Sequence, residues 1–179
     1  IHDLLEKSTK KIEEMPDENA MRAYAATLGA EMLQKSIYAT QQERKSGEYF
    51  TQKLLAEGVD VVAAAYRQVK NSKFVIEQTE STVQSNIFPG KVDRVDGTDK
   101  FVRVIDYKTG KIDDTANAYY TGQKMQMQLY MSELKGERVP AGVFYFPASI
   151  EYVDEDEGRF RMKGFLNGDA DALLCGDVH

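Results

Sequence analysis

The sequence is poor in cysteine and histidine and has no long apolar run. Its one cysteine, Cys175, cannot form an internal disulfide, which favours a reducing, cytoplasmic setting. No stretch approaches the roughly 20 apolar residues that a membrane-spanning helix needs, so we expect no membrane partner. The only histidines, His2 and His179, lie at the two ends, which argues against Ser-His or Cys-His catalysis and against histidine-rich zinc sites.

A phosphate-binding loop is also missing. Gly110-Lys111 lacks both the upstream glycine and the following serine or threonine of that motif. The sequence therefore encodes no ATPase.

Acidic residues outnumber basic ones, and the formal net charge is -6. This balance argues mildly against nucleic-acid binding, because proteins that grip phosphates usually display a basic surface. Net charge sums over all faces, however, and a site that collects divalent cations has to concentrate carboxylates where the phosphate will lie. A DNA-binding role therefore stays open.

The 179 residues, 42% of them hydrophobic, suffice for one core, so we expect a single domain over residues 1–179. Because the chain starts with Ile1, we also expect it to be a piece of a longer polypeptide. The order of elements predicts an α/β domain whose sheet has helices packed against it and begins as a β-meander. Residue spacing predicts helices over 2–15, 20–41, 48–69 and 118–134, and strands starting at 74 and within 85–95, 101–107, 142–146 and 159–165.

Two carboxylates and a lysine lie on predicted neighbouring strands, in the segments GKVDRVD and VIDYKTG. Side chains alternate along a strand, so Asp106 and Lys108 should project from one face and Tyr107 from the other. A hairpin pairing could bring Asp93 beside Asp106, with the Tyr107 carbonyl as a further oxygen ligand. An Asp-x-Lys alone is often only a solvated strand end. The apolar flanks here favour buried strands, however, and buried strands rarely bear charged residues unless these have a function.

These residue types suit phosphodiester hydrolysis assisted by a divalent metal ion. Mg²⁺ prefers oxygen ligands and uses few carboxylates with several waters, and Asp93 and Asp106 meet that requirement, with Mn²⁺ as the alternative ion. Lys108 could orient or activate the attacking water, or it could stabilise the negative charge of the transition state.

Other polar side chains could contact the substrate. Gln126 and Tyr130, four residues apart on one helix face, could bond phosphate oxygens or a base edge, and the alternative is an ordinary helix flank with Tyr130 in the core. Arg94, Arg103 and Lys111 could contact the DNA backbone, although we favour a solvated surface position for each.

The segments GKVDRVD, VIDYKTGK, QMQLY and PAGVFYF together resemble the nuclease domains of the RecB family of PD-(D/E)XK nucleases. The resemblance is closest to the C-terminal nuclease domains of the AddB/RexB group and covers roughly residues 87–147. It implies a restriction-endonuclease-like core, with a central mixed β-sheet flanked by α-helices. It also implies DNA as substrate, a helicase subunit of the AddA/RexA type as partner, and a role in DNA double-strand break repair and recombination.

The resemblance also implies roles for individual residues. Metal binding falls to Asp93 and Asp106, the catalytic lysine is Lys108, and Gln126 and Tyr130 match the auxiliary motif. A metal-binding histidine on an early helix matches His2.

The sequence departs from the pattern of the AddB group in its cysteines, which bear on iron-sulfur binding. Many proteins of the AddB group hold a cluster with four cysteines, whereas this sequence has only Cys175. We therefore expect no iron-sulfur cluster within this chain. Either the ligands lie outside it, or the chain belongs to the RexB-like branch that lacks them.

Two hypotheses of different classes remain. The first is an active Mg²⁺-dependent deoxyribonuclease, an exonuclease domain of a helicase-nuclease complex. The second is a nuclease-derived fold that serves only as a DNA-binding or assembly scaffold. The intact acid, acid and lysine set favours the first, since a scaffold has no reason to keep all three.

Overall fold

The computed structural model describes residues 1–36, 45–84, 89–110, 112, 125–149 and 160–176. Within these residues, helices come first and three strands follow, and then come a helix, two further strands and a short helix. In chain order they are α1 (His2–Thr9), a 3-10 turn (Ile12–Glu14), α2 (Glu18–Gln34), α3 (Lys45–Lys70), β1 (Val75–Val83), β2 (Gly90–Gly97), β3 (Phe101–Lys108), α4 (Gln126–Leu134), β4 (Val139–Pro147), β5 (Lys163–Leu166) and α5 (Ala170–Leu173).

The strands form one five-stranded sheet in the order β1-β2-β3-β4-β5. Neighbouring strands are antiparallel except β3 and β4, which are parallel. A parallel step needs a long crossover connection, and α4 lies on the chain between these two strands. The predicted α/β class, the mixed sheet and the β-meander of the first three strands are confirmed.

Three predicted helices have wrong boundaries, among them the one predicted over 20–41, which ends at Gln34. The first, predicted over residues 2–15, ends at Thr9, because the Lys11 N–H bonds to the Ser8 carbonyl and the chain continues as a 3-10 turn. The helix predicted over 118–134 begins at Gln126 in the described part of the chain. Residues 118–124 lie outside the described residues, as do 37–41 of the second predicted helix, 85–88 of a predicted strand and residue 159 at the start of the last one.

The first of two compact units comprises Ile1–Arg67 and Ala148–Phe160. It contains α1, α2 and most of α3. Gly29 lies where these helices meet, and a Cβ at this position would force the end of the Leu55 side chain to move and would touch Leu4. Within the described ranges, no helix combines the length and apolarity that crossing a membrane demands.

The second unit, Gln68–Pro147 with Arg161–His179, contains the whole sheet together with α4 and α5. Helix α4 contacts β3, β4 and β1. The expectation that residues 1–179 form a single domain stays a prediction. The core of this unit joins side chains of the sheet to side chains of α4, among them Val92, Val95, Val104, Val143, Met127, Tyr130 and Met131.

Candidate metal centre

Asp93 lies within β2, and β1 brings a second carboxylate beside it. The register of the two strands pairs Thr79 with Arg94, so the next residue of β1, Glu80, faces Asp93. A carboxylate oxygen of Glu80 lies within 4.8 Å of one of Asp93. This spacing suits two oxygens that share one divalent cation.

On its other side, Asp93 contacts the backbone of β3. The ladder between β2 and β3 pairs Arg94 with Ile105, so Asp93 faces Asp106 one step further along. The Asp93 Oδ2 accepts the backbone N–H of Tyr107 at 2.6 Å. A residue in such a position directs its carbonyl to the same neighbouring strand as its N–H. The Tyr107 carbonyl therefore points to the side where Asp93 lies.

Asp106 and Lys108 form an ion pair at the end of β3. The Lys108 Nζ lies 2.5 Å from Asp106 Oδ2 and 5.5 Å from the centre of the Tyr145 ring. The Tyr107 side chain is buried and meets Phe146 edge-on, with ring centres 6.0 Å apart. The predicted arrangement, with Asp106 and Lys108 together and Tyr107 turned away, is confirmed.

Glu80 is a residue of this centre that the sequence motifs did not indicate. Its backbone has φ 55°, a left-handed conformation that is uncommon for a residue other than glycine. Its side chain is 14% exposed and forms an ion pair with Lys91. A prediction of β1 through Val83 would have placed Glu80 on a strand, but only the register shows that it faces Asp93.

Gln126 and Tyr130 lie together on α4, as their spacing predicts. The Gln126 Nε2 donates a hydrogen bond to the Tyr130 Oη at 2.5 Å. Tyr130 is buried in the core, and its phenol closely approaches Gly90 at the start of β2. Gln126 is exposed. The core position that was the alternative for Tyr130 is thus observed, while a role in catalysis for either side chain stays a prediction.

The positions expected for Arg94 and Arg103 are wrong, because both guanidinium groups are buried. Asp96 Oδ2 accepts a hydrogen bond from each, at 2.8 Å from Arg94 and 2.9 Å from Arg103. Gln68 accepts another from Arg94, and the Arg103 guanidinium lies 4.4 Å from the centre of the Phe74 ring. Neither arginine is on the solvated surface, where a DNA backbone contact would require it.

Two other predicted positions are His2 and Lys111. His2 begins α1 in the first unit, and its role as a metal ligand stays a prediction. Lys111 lies outside the described residues.

An apolar groove of about 430 Å³ lies elsewhere in the second unit, between α4, β4 and β5. Its wall includes Met131, Val143 and Phe165, and it includes none of the carboxylates described above. The groove and the candidate metal centre are therefore different sites.

The donor atoms of the centre match a hard divalent cation. The carboxylates of Asp93, Glu80 and Asp106 and the carbonyl of Tyr107 all offer oxygen, which is the ligand that Mg²⁺, Mn²⁺ and Ca²⁺ prefer. Lys108 adds one positive charge beside them. An arrangement of this kind can hold a metal ion next to a phosphate group.

Comparison with known proteins identifies the family. A sequence model of the PD-(D/E)XK nuclease superfamily matches residues 1–173. The chain belongs to the PD-(D/E)XK nuclease superfamily, and its mixed sheet with flanking helices is the restriction-endonuclease-like fold of that superfamily.

Several curated relatives are named as subunits of an ATP-dependent helicase/deoxyribonuclease. The protein of Carboxydothermus hydrogenoformans is 29% identical over 140 residues, which are 65% of this chain and 12% of the relative. That of Lachnoclostridium phytofermentans is 35% identical over 115 residues, 49% of this chain and 10% of the relative. That of Symbiobacterium thermophilum is 39% identical over 71 residues, 32% of this chain and 6% of the relative. The chain thus spans only a small part of the length of these relatives.

Proposed function

We propose that this chain is a Mg²⁺-dependent deoxyribonuclease domain that hydrolyses phosphodiester bonds in DNA as an exonuclease. The observation that carries the proposal is the arrangement of polar groups where β2 and β3 meet. There the Asp93 carboxylate accepts the Tyr107 N–H, and Asp106 and Lys108 lie together on the next positions of the strand. Membership of a nuclease superfamily supports this chemistry.

Asp93, Asp106 and the Tyr107 carbonyl would hold the metal ion, with His2 as a further ligand. All but His2 offer oxygen, which suits Mg²⁺ and also Mn²⁺. When bound, the ion supplies positive charge to the phosphate and to the water that attacks it. The contact from the Tyr107 N–H keeps the Asp93 carboxylate oriented before any ion binds.

Lys108 is the residue that we assign to the attacking water and the transition state. Its ammonium group now contacts Asp106 and is partly exposed, with 46% of the side chain accessible, so substrate can reach it. A fixed positive charge here stabilises the charge that develops on the phosphoryl oxygens. It also orients a water molecule by hydrogen bonding.

Gln126 and Tyr130 form the auxiliary part of the site in this proposal. Gln126 is exposed at the start of α4 and can bond a phosphate oxygen or a base edge. Tyr130 is buried and fixes the Gln126 amide through its hydroxyl.

The biological setting follows from the names of the relatives. They are helicase/deoxyribonuclease subunits, so we propose that this domain belongs to a helicase-nuclease complex and acts with a helicase subunit of the AddA/RexA type. Such a complex would process DNA ends in double-strand break repair and recombination. We propose a cytoplasmic location, in keeping with a lone, unpaired cysteine.

Cleavage assays with the full-length protein test this function. We would assay linear and circular DNA with Mg²⁺, with and without a helicase partner, for the wild type and for Asp106→Ala. Asp99→Ala, which removes an exposed carboxylate from the turn after β2, is the matched control. We expect Asp106→Ala to abolish cleavage and retain DNA binding, and Asp99→Ala to cleave normally. Wild-type cleavage by Asp106→Ala would instead favour the scaffold hypothesis.

A further inference from the structure

The buried arginine next to Asp93 in sequence belongs to a polar cluster on the opposite face of the sheet. Successive side chains of a strand point to opposite faces, so Arg94 points away from the side occupied by Asp93. Arg94 is fully buried, and its guanidinium donates to Asp96 and to Gln68. Removing a buried charge from such a cluster is costly, so its position is strongly fixed.

The register shows which side chains of β3 lie beside Arg94. Arg94 pairs with Ile105, and its diagonal neighbours on the same face are therefore Arg103 and Tyr107. The Tyr107 side chain is buried and meets the ring of Phe146 edge-on. Arg94 thus lies diagonally beside the residue whose backbone meets the metal centre.

Tyr107 connects the two faces of the sheet. Its side chain lies on the same face as that of Arg94, while its N–H donates to the Asp93 carboxylate at 2.6 Å. Its carbonyl is directed to the same neighbouring strand as that N–H. A shift of the Tyr107 side chain would therefore move both the hydrogen bond to Asp93 and the carbonyl oxygen.

We propose that Arg94 is a positioning residue for the metal centre, which it orients through Tyr107. The inference rests on the function proposed above. It adds to the site a residue on the face of the sheet opposite Asp93. Replacing a residue that orients a metal ligand without binding the metal itself typically lowers metal affinity or activity by about 10- to 100-fold.

Arg103 provides a matched control. Both arginines are buried and both bond to the same oxygen of Asp96, so a lysine at either position loses a comparable part of the cluster. Arg94 is the diagonal neighbour of Tyr107 on this face, whereas the Arg103 guanidinium stacks on Phe74. A purely structural cluster would make the two replacements equivalent.

The experiment compares Arg94→Lys, Arg103→Lys and Tyr107→Phe in the full-length protein. Mn²⁺ binding is titrated calorimetrically without DNA, thermal unfolding is recorded, and the Mg²⁺ concentration for half-maximal cleavage is measured. We expect Arg94→Lys to weaken Mn²⁺ binding and raise the Mg²⁺ requirement by about tenfold, within the range for such groups. Tyr107→Phe, which keeps the ring and the backbone, should shift both in the same direction. Arg103→Lys should lower the melting temperature similarly but leave metal binding unchanged.

Two results would overturn the inference. The first is an equal effect of Arg94→Lys and Arg103→Lys on Mn²⁺ binding. The second is unchanged Mn²⁺ binding in Arg94→Lys and Tyr107→Phe. Either result would mean that the cluster only stabilises the fold. If Arg94→Lys does not fold, Mn²⁺ binding by Tyr107→Phe alone tests the inference. Asp93→Asn separates this failure from that of the proposed function: if it binds Mn²⁺ like the wild type, the metal centre itself is wrongly placed.

Discussion

The carboxylate of Asp93 accepts the backbone N–H of Tyr107 at 2.6 Å, across the boundary between β2 and β3. A regular continuation of the ladder from Arg94 and Ile105 would give this N–H the carbonyl of Val92 as its acceptor. The side chain of Asp93 takes that place. One acidic residue thereby completes the sheet and faces the position where the metal ion is proposed to bind.

Replacement of Asp93 separates its structural bond from its charge. Asn at this position keeps an oxygen that can accept the Tyr107 N–H but removes the negative charge. We expect Asp93→Asn to fold with nearly unchanged circular dichroism and to lose more than about 100-fold in cleavage rate, the upper end of the effect of outer groups. Steady-state cleavage of linear DNA measures this loss, and a decrease of only a few-fold would remove Asp93 from the metal site.

Lys108 should affect the chemistry and not the binding of the metal ion. Its ammonium group pairs with Asp106 at 2.5 Å, so Lys108→Ala removes one positive charge that competes with a metal ion for that carboxylate. We expect cleavage to fall by about 10²–10⁴-fold, as for loss of a general acid or base, while Mn²⁺ binds as tightly as in the wild type or more tightly. Calorimetry and single-turnover cleavage measure the two effects, and weakened Mn²⁺ binding would speak against this division of roles.

Glu80 should add to the affinity for the metal ion. Its oxygen lies within 4.8 Å of an oxygen of Asp93, so Glu80→Gln removes a negative charge next to the cation. We expect a several-fold higher Mg²⁺ requirement and little change in the rate at saturating Mg²⁺. Glu77 lies on the same strand as Glu80 and forms an ion pair with Arg138. Glu77→Gln is therefore the control, and it should leave the Mg²⁺ requirement unchanged. An equal response of the two variants would contradict a local role for Glu80.

Gly90 should be intolerant of a side chain because it contacts Tyr130. A Cβ at this position would overlap the Tyr130 phenol, so Gly90→Ala has to displace this ring or the start of β2. We expect Gly90→Ala to lower the free energy of unfolding by about 1–3 kcal/mol, which is typical of overpacking. Gly110→Ala should be neutral, because no described residue other than its chain neighbours has an atom within 4 Å of the new Cβ. Chemical denaturation compares them, and equal stabilities would refute the tight contact.

The local part of the candidate site could be predicted from the sequence. Alternation along β3 was enough to place Asp106 with Lys108 and to turn Tyr107 away, because this depends on one strand only. The four-residue spacing of Gln126 and Tyr130 likewise indicated one helix face, where the two side chains are hydrogen-bonded.

The pairing of Asp93 with Asp106 was expected, but other features that depend on the pairing of strands were missed. The sequence indicated only the first residues of β1, so it could not show that Glu80 faces Asp93. Alternation gives a strand two faces without showing which one is covered, and charged side chains are rarely buried. Arg94 and Arg103 were therefore expected at the surface, whereas Asp96 pairs with both in the interior.

The metal centre can be tested most directly by a crystal structure of the full-length protein soaked with Mn²⁺, using anomalous diffraction to locate the ion. We predict an anomalous peak at about 2.0–2.2 Å from oxygens of Asp93 and Asp106 and from the Tyr107 carbonyl, a distance typical of small divalent cations. The peak should be absent in Asp106→Ala. A Mn²⁺ ion bound elsewhere, with none between these residues, would contradict the proposed nuclease site.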